Sequence, residues 1–376
     1  MERLILSSVQ GKTSGGVLFT GSKGTLKLFS SEIIISSLLS DYSNYIPFNH
    51  PDIYCYGIYD YKLYYDFLVR IYKQICGGSL RNFFVRFLSF CLAVRKPDKN
   101  GDISSLISDI YKVISNNCDE NLVKSILERF ETIISKLSKI DSIGIDVIRD
   151  IIDFCTKTPL SGYKFVVIPN FDSATIEAQN AFLKTLEEPP KGTFIILTTS
   201  KYSNILPTIS SRTFRISFLK LKGKDILNIL GNVDGINIDE ENYYTLFDLV
   251  VNYIYDIYGK FFTKFIDVFV SNDLEKAISF AEEISENNIL VDKFFEVSNS
   301  LLNILLEVRA KVAGLDIKLD KYLLDRIPNK EKVLPLFTVA RLYKLQSLLN
   351  DSYVKIYTYN FNPKFVITRF FVEAFS

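Results

Sequence analysis

Residues 163–218, YKFVVIPNFDSATIEAQNAFLKTLEEPPKGTFIILTTSKYSNILPTISSRTFRISF, decide the fold. Residues 165–168 form a continuous apolar, β-branched run, the pattern of a strand buried on both faces of a parallel sheet. Residues 175–188 carry apolar side chains at helical spacing, and Pro189-Pro190 stops that helix, because proline lacks the backbone donor and clashes with the preceding turn. Residues 193–199 predict a second buried strand. Strand, helix and strand within so short a span make a right-handed βαβ unit.

The chain has 376 residues, more than one hydrophobic core usually holds, so two or three domains are expected. Its composition, 48% apolar and 23% charged, favours large cores over disorder. The formal net charge of +1 leaves any nucleic-acid contact to local patches. Cys55, Cys76, Cys91, Cys118 and Cys155 are isolated and His50 is the sole histidine, so neither a zinc module nor a disulfide framework is expected. The start has no charged leader followed by an apolar core, and the most apolar stretch, 82–94, is short and contains Arg86. A cytoplasmic protein is expected, with no membrane partner.

The motif AQNAFLKTLEEPP (178–190), followed by ILTTSKYSNILPTISSR (196–212), resembles the AAA+ module of bacterial clamp-loader subunits, the gamma/tau and delta-prime components of DNA polymerase III. The resemblance is strong over 163–218 and weaker over 16–31 and Asn49-His50-Pro51-Asp52. It implies an α/β AAA+ core, a parallel sheet flanked by helices, followed by all-α lid and collar domains. The implied boundaries are 1–218 for the core, 219–263 for the lid and 264–376 for the collar. Residues 61–140 fall outside the family pattern and read as a helical insertion, with amphipathic stretches at 63–75, 82–94, 103–115 and 122–137. Arg81, Phe83, Phe84, Arg86 and Phe87 admit a nucleic-acid or partner-helix reading, but aromatics at that spacing are more often core.

The resemblance also locates a nucleotide site, and the residues there depart from it. Gly21, Gly24, Leu26, Lys27 and Leu28 keep the spacing of a phosphate-binding loop. Leu26 replaces the glycine that lets backbone amides approach phosphate, and Leu28 replaces the hydroxyl that holds Mg²⁺. Lys27 remains, either as a phosphate ligand or as an ordinary solvated lysine on the first turn of a helix. The strand at 165–168 runs into Pro169-Asn170 where metal-binding and water-polarising acids would stand. Asp172, the nearest carboxylate, reads as part of the helix start with Thr175. No arginine lies between Arg215 and Arg309, where the lid would supply a nucleotide sensor.

Ser211-Arg212 survives from the family's Ser-Arg-Cys element, with Thr213 in the third place. There the arginine reaches a neighbour's ATP site, a task suited to its planar, permanently charged fork. By chemistry alone Arg212 is equally a surface residue or the partner of a local carboxylate, and Arg215 is an alternative. Thr198 and Thr199 stand at the first sensor position and read as structural, as does His50. Asn180, Lys184, Glu187 and Glu188 sit on the intervening helix.

The resemblance therefore implies a delta-prime-like subunit without its own ATPase, with no catalytic residue, metal or cofactor of its own. Its implied partners are gamma/tau ATPase and delta-type subunits, with contact to the sliding clamp and primer-template DNA left open. A divergent gamma/tau-type subunit that binds ATP and a non-enzymatic adaptor of the same fold are the alternatives.

Overall fold

The computed structural model describes residues 16–39, 42–94, 102–115, 118–231, 233, 234, 236, 238, 243–255, 262–314 and 330–375. Two compact units divide the chain, Met1–Val250 and Val251–Ser376.

The first unit is built on a five-stranded, wholly parallel sheet. Its strands are β1 (Gly16–Thr20), β2 (Ile53–Cys55), β3 (Lys164–Ile168), β4 (Thr193–Thr199) and β5 (Thr213–Ser217), in the order β2-β3-β4-β1-β5. Every residue of β3 is buried, as its unbroken apolar run requires. The two sides of the sheet separate by alternation. Leu18, Val166, Ile168, Ile195 and Leu197 meet Phe171, Phe182 and Leu186 on one side, while Phe19 and Ile196 meet Ile34 on the other.

The first helices are α1 (Lys27–Leu38), α2 (Tyr61–Arg70), α3 (Gly78–Val94), α4 (Asp102–Ile114) and α5 (Glu120–Leu137). Next come α6 (Ile145–Thr156), which precedes β3, and α7 (Ile176–Glu187), which joins β3 to β4. A four-residue helix, α8 (Pro207–Ser210), leads into β5. The expected βαβ unit is β3-α7-β4, with Thr175 as the helix cap accepting from the Ala178 amide. Asp172 precedes that cap in the turn Phe171–Ser173, and its carboxylate also accepts from the Ser200 amide at 3.2 Å, joining the ends of β3 and β4.

The four helices expected over 61–140 are α2 to α5; the connection at 96–101 lies outside the described residues. Phe83, Phe84 and Phe87 are buried, and Arg86 pairs with the buried Glu32 of α1 at 3.2 Å, so this aromatic segment is core. His50 is buried in a turn, where its Nδ1 accepts the Asp52 amide and its ring stands edge-on to Tyr45. The Asp52 carboxylate in turn accepts the amides of Leu160 and Ser161, which fixes the approach to β3.

A two-stranded ribbon of β6 (Leu221–Lys222) and β7 (Tyr243–Tyr244) follows, with α9 (Gly223–Leu230) between them and α10 (Leu246–Tyr255) after. The second unit is helical: α11 (Phe262–Ser271), α12 (Leu274–Ser285), α13 (Asn288–Val312), α14 (Lys330–Leu336), α15 (Val339–Tyr357) and α16 (Pro363–Phe375). Phe265, Phe269, Phe294 and Phe371 form its aromatic centre, with ring centroids 5.0–6.1 Å apart. Side-chain caps from Asp273, Asn287 and Thr338 start α12, α13 and α15. The last element is helical, with Pro363 at the first position of α16. No described helix is long and apolar enough to cross a membrane.

One expectation is overturned. Cys76 and Cys118 form a disulfide, with Cα atoms 5.5 Å apart. Packing of the helices α2 to α5 brings together two residues that just precede α3 and α5, a proximity that local spacing does not encode. The bridge closes a loop over a sequence separation of 42, so under oxidising conditions Cys76→Ser is expected to cost about 2–4 kcal/mol. Urea unfolding with and without reductant checks this: the difference between variant and parent should vanish in reductant. Five alkylatable thiols in protein prepared without reductant would show that the bridge does not form.

Candidate functional site

The carboxyl ends of β1, β3 and β4 lie side by side, and open α/β sheets bind ligands at such a crevice. Residues 21–28 run over it. Gly24 holds a φ of 75°, and a Cβ there would sit 2.2 Å from the Phe247 amide nitrogen, so the turn requires glycine. Leu26 also adopts the left-handed conformation, with φ 62° and ψ 21°, directly before α1. The loop thus keeps a glycine-type backbone at a position where the sequence has leucine. Such a residue costs about 1–2 kcal/mol and persists only where its surroundings hold it.

Lys27 supplies part of that hold, and here the solvated lysine admitted by the sequence is corrected. Its side chain turns back into the loop and is buried, with Nζ donating to Gly21 O at 2.6 Å, Ser22 O at 2.7 Å and Thr25 Oγ1 at 3.3 Å. Burial lowers its pKa to about 8, and the Asp172 carboxylate opposes that fall. The loop's other lysine is engaged as well: Lys23 pairs with Asp60 at 3.0 Å and lies over the Phe247 ring. Leu28 is buried at the start of α1. The space remaining among Lys27, Leu28, Tyr59, Tyr64, Asn170, Thr198 and Leu246 is about 30 Å³, enough for about two waters.

At the end of β3, Pro169 and Asn170 knit strand ends together. A Cβ on Gly57 would meet Pro169 O at 2.3 Å, so the chain after β2 lies directly against this proline. Asn170, with φ 48°, donates from its amide to Thr198 Oγ1 at 3.1 Å and from Nδ2 to Ile58 O at 2.9 Å. Thr199 Oγ1 accepts from the Lys201 amide. Both threonines therefore hold backbone.

Arg212 stands at a second location, between α8 and β5. Its Nε donates to Glu187 Oε1 at 2.5 Å, its Nη2 pairs with the same oxygen, and its Nη1 donates to Thr208 O at 2.9 Å. The Arg212 side chain is 32% exposed and that of Glu187 46%, so the pair lies at the surface. Ser211 Oγ donates to Thr208 O, and the Arg215 guanidinium lies 5.1 Å from the Tyr202 ring.

Gln179 passed unnoticed in the sequence, where nothing but its place in the motif marks it. It is buried, and its amide makes three bonds: Nε2 donates to Ala174 O at 3.1 Å and Asn204 O at 3.0 Å, and Oε1 accepts the Leu206 amide at 2.9 Å. One side chain thereby ties α7 to the loop that carries α8 and Arg212.

Residues 106–222 match the family model described as DNA polymerase III, delta subunit. A DNA polymerase III subunit delta' of Yersinia pestis is 39% identical over 74 residues, 19% of this chain and 22% of that protein. The DNA polymerase III subunit tau of Bacillus subtilis is 37% identical over 91 residues, 24% of this chain and 16% of that one. A replication factor C small subunit of Sulfolobus acidocaldarius is 31% identical over 120 residues, covering 30% and 37%. The matches thus span about a sixth to a little over a third of the length of these relatives. A crystal structure of a DNA polymerase III gamma subunit-related protein from Thermotoga maritima aligns over 100% of this chain and 98% of its own, at 17% identity and a TM-score of 0.40, too loosely to carry an argument. The family model covers 163–218, the segment that carries the resemblance, and the chain is similar over shorter stretches to clamp-loader subunits of DNA polymerase III of both delta-prime and tau kinds.

The buried Lys27 generates a pH test. Its pKa is lower in the folded chain than in the unfolded one, so between about 8 and the ordinary lysine value the unfolded state binds more protons. Stability contributed at this position therefore rises with pH across that window. Relative to Lys27→Met, the parent should gain stability between pH 7.5 and 10 in parallel denaturant titrations; a parallel or falling difference would place the ammonium in water.

Proposed function

We propose that the chain is a delta-prime-like subunit of a DNA polymerase III clamp loader, without ATPase of its own, that donates Arg212 to the ATP site of a neighbouring subunit. The observation that carries this reading is the loop at 21–28, folded shut on its own lysine. Lys27 spends its donors on Gly21 O and Ser22 O, so the group that would grip the β- and γ-phosphates is already bound. Pro169 and Asn170 supply no carboxylate for Mg²⁺ or for the attacking water. Phosphoryl transfer rests on positioning and charge neutralisation, and this crevice offers little of either.

In this reading Ser211 and Arg212 form the trans element. Residues 1–218 are the degenerate core, with 61–140 as its insertion, 219–263 the lid, and 264–376 the collar through which gamma/tau and delta-type subunits assemble. Its work lies in the cytoplasm, during loading of the sliding clamp onto primed DNA, and it needs no cofactor of its own. A gamma/tau-type subunit that binds ATP is the competing reading, supported by the 37% identity to the Bacillus subtilis tau subunit.

Nucleotide binding by the isolated chain separates the two. Calorimetric titration with Mg-ATP is expected to show no binding up to about 1 mM, a level at which even a −4 kcal/mol interaction would register; micromolar binding would favour the gamma/tau reading. In a loader reconstituted with its ATPase partners, clamp and primed DNA, Arg212→Ala should lower ATP turnover tenfold or more, about 1.4 kcal/mol in the barrier. Unchanged turnover in an intact complex would leave Arg212 a structural residue.

A further inference from the structure

Glu187 occupies an unfavourable place for a carboxylate. It is the last residue of α7, where the partial negative charge of the helix end opposes it. Its compensation comes from across the chain, from Arg212, which is 25 residues away in sequence. The contact is directional: Nε and Nη2, one edge of the guanidinium, meet a single carboxylate oxygen, and Nη1 is fixed by the Thr208 carbonyl. With a longer approach of Nη1 to Ser211 Oγ at 3.4 Å, these contacts occupy at most four of the five N–H donors. The plane of the guanidinium is therefore set before any other ligand arrives, while a third of the side chain stays exposed.

We propose that Glu187 is a positioning residue for Arg212, holding the guanidinium in the orientation in which it meets the terminal phosphate of a nucleotide on a neighbouring subunit. This rests on the reading of Arg212 as a trans element given above. A surface ion pair is weak and readily outcompeted by a triphosphate with its higher charge. The carboxylate thus restrains the arginine without withholding it. Its contribution is orientational, so it belongs to turnover and not to the neighbour's affinity for ATP.

The test compares Arg212→Ala, Glu187→Ala, Glu187→Gln and the Glu187→Ala/Arg212→Ala pair in the reconstituted loader, after size-exclusion confirms assembly of each. Glu187→Ala is expected to lower kcat about fivefold with KM for ATP unchanged. Glu187→Gln should recover part of the loss, because its amide oxygen still accepts from Nε. The double variant should be no slower than Arg212→Ala alone, the signature of one residue acting through the other. If Glu187→Ala raises turnover or leaves it unchanged while Arg212→Ala lowers it, positioning is overturned and the arginine's trans role stands. Additive losses would make Glu187 a structural residue of α7. If Arg212→Ala has no effect, the trans reading itself fails and this inference falls with it.

Discussion

A parallel sheet must be covered on both faces, and that constraint sets everything else in the first unit. Along β1, Leu18 belongs to the cluster with Phe171 and Phe182, while Phe19 belongs to the cluster with Ile34 and Ile196. A slip of one residue would exchange the two faces, so the register is fixed by burial on both sides at once. With the register fixed, Thr20 lies opposite Thr199 and Ile168 opposite Leu197, and the strand ends share one level. The crevice above them inherits its geometry from the core. A ligand site can therefore lose its chemistry while its shape persists, because the shape is maintained by apolar packing that no ligand contributes to.

Lys27 shows how such a loop can be bonded from within its own chain. A loop built to wrap an anion has polar backbone that stays costly unless something bonds it. Here an internal ammonium bonds the loop carbonyls at 2.6 and 2.7 Å, and the cost of its burial shows in its lowered pKa. The bonds tie the start of the loop to the first turn of α1, on either side of the left-handed Leu26. Swinging the Lys27 head group out of the loop would break these bonds. The substitution at 26 and the burial at 27 thus reinforce one another.

How much of this was legible depended on whether the signal was periodic. The unbroken run of β3 and the helical spacing of α7 gave those elements their type, and the paired prolines at 189 and 190 their boundary, since burial on two faces and burial on one stripe write different patterns. The eroded loop was legible as substitutions, Leu26 and Leu28, but the position of the Lys27 head group was not, because a flexible four-carbon side chain carries no preference for water over its own loop. Cys76 and Cys118 were read as isolated thiols because their meeting depends on how α3 and α5 pack. Gln179 was invisible for the same reason: its three partners, Ala174, Asn204 and Leu206, are backbone groups on either side of a strand. The tail at 353–375 has apolar residues too frequent to choose a period, and its helix is decided by packing against α12 and α15.

The second location, at Arg212, obeys a different economy from the crevice. Holding a free arginine in one geometry costs about 2 kcal/mol of rotamer entropy. A half-exposed pair with Glu187 returns at most about 1 kcal/mol, so the pair alone does not explain an ordered side chain. The Thr208 carbonyl supplies a further bond, and Gln179 fixes the loop that carries α8 relative to the helix that carries Glu187. Removing one partner of a buried amide leaves polar backbone unsatisfied, so the Gln179 junction is far harder to open than the surface pair it supports. Arg212 and Glu187 consequently sit on one rigid frame with a weak final contact. A frame that is stiff in the backbone and soft only at the guanidinium is the mechanical property that the trans role proposed for Arg212 requires.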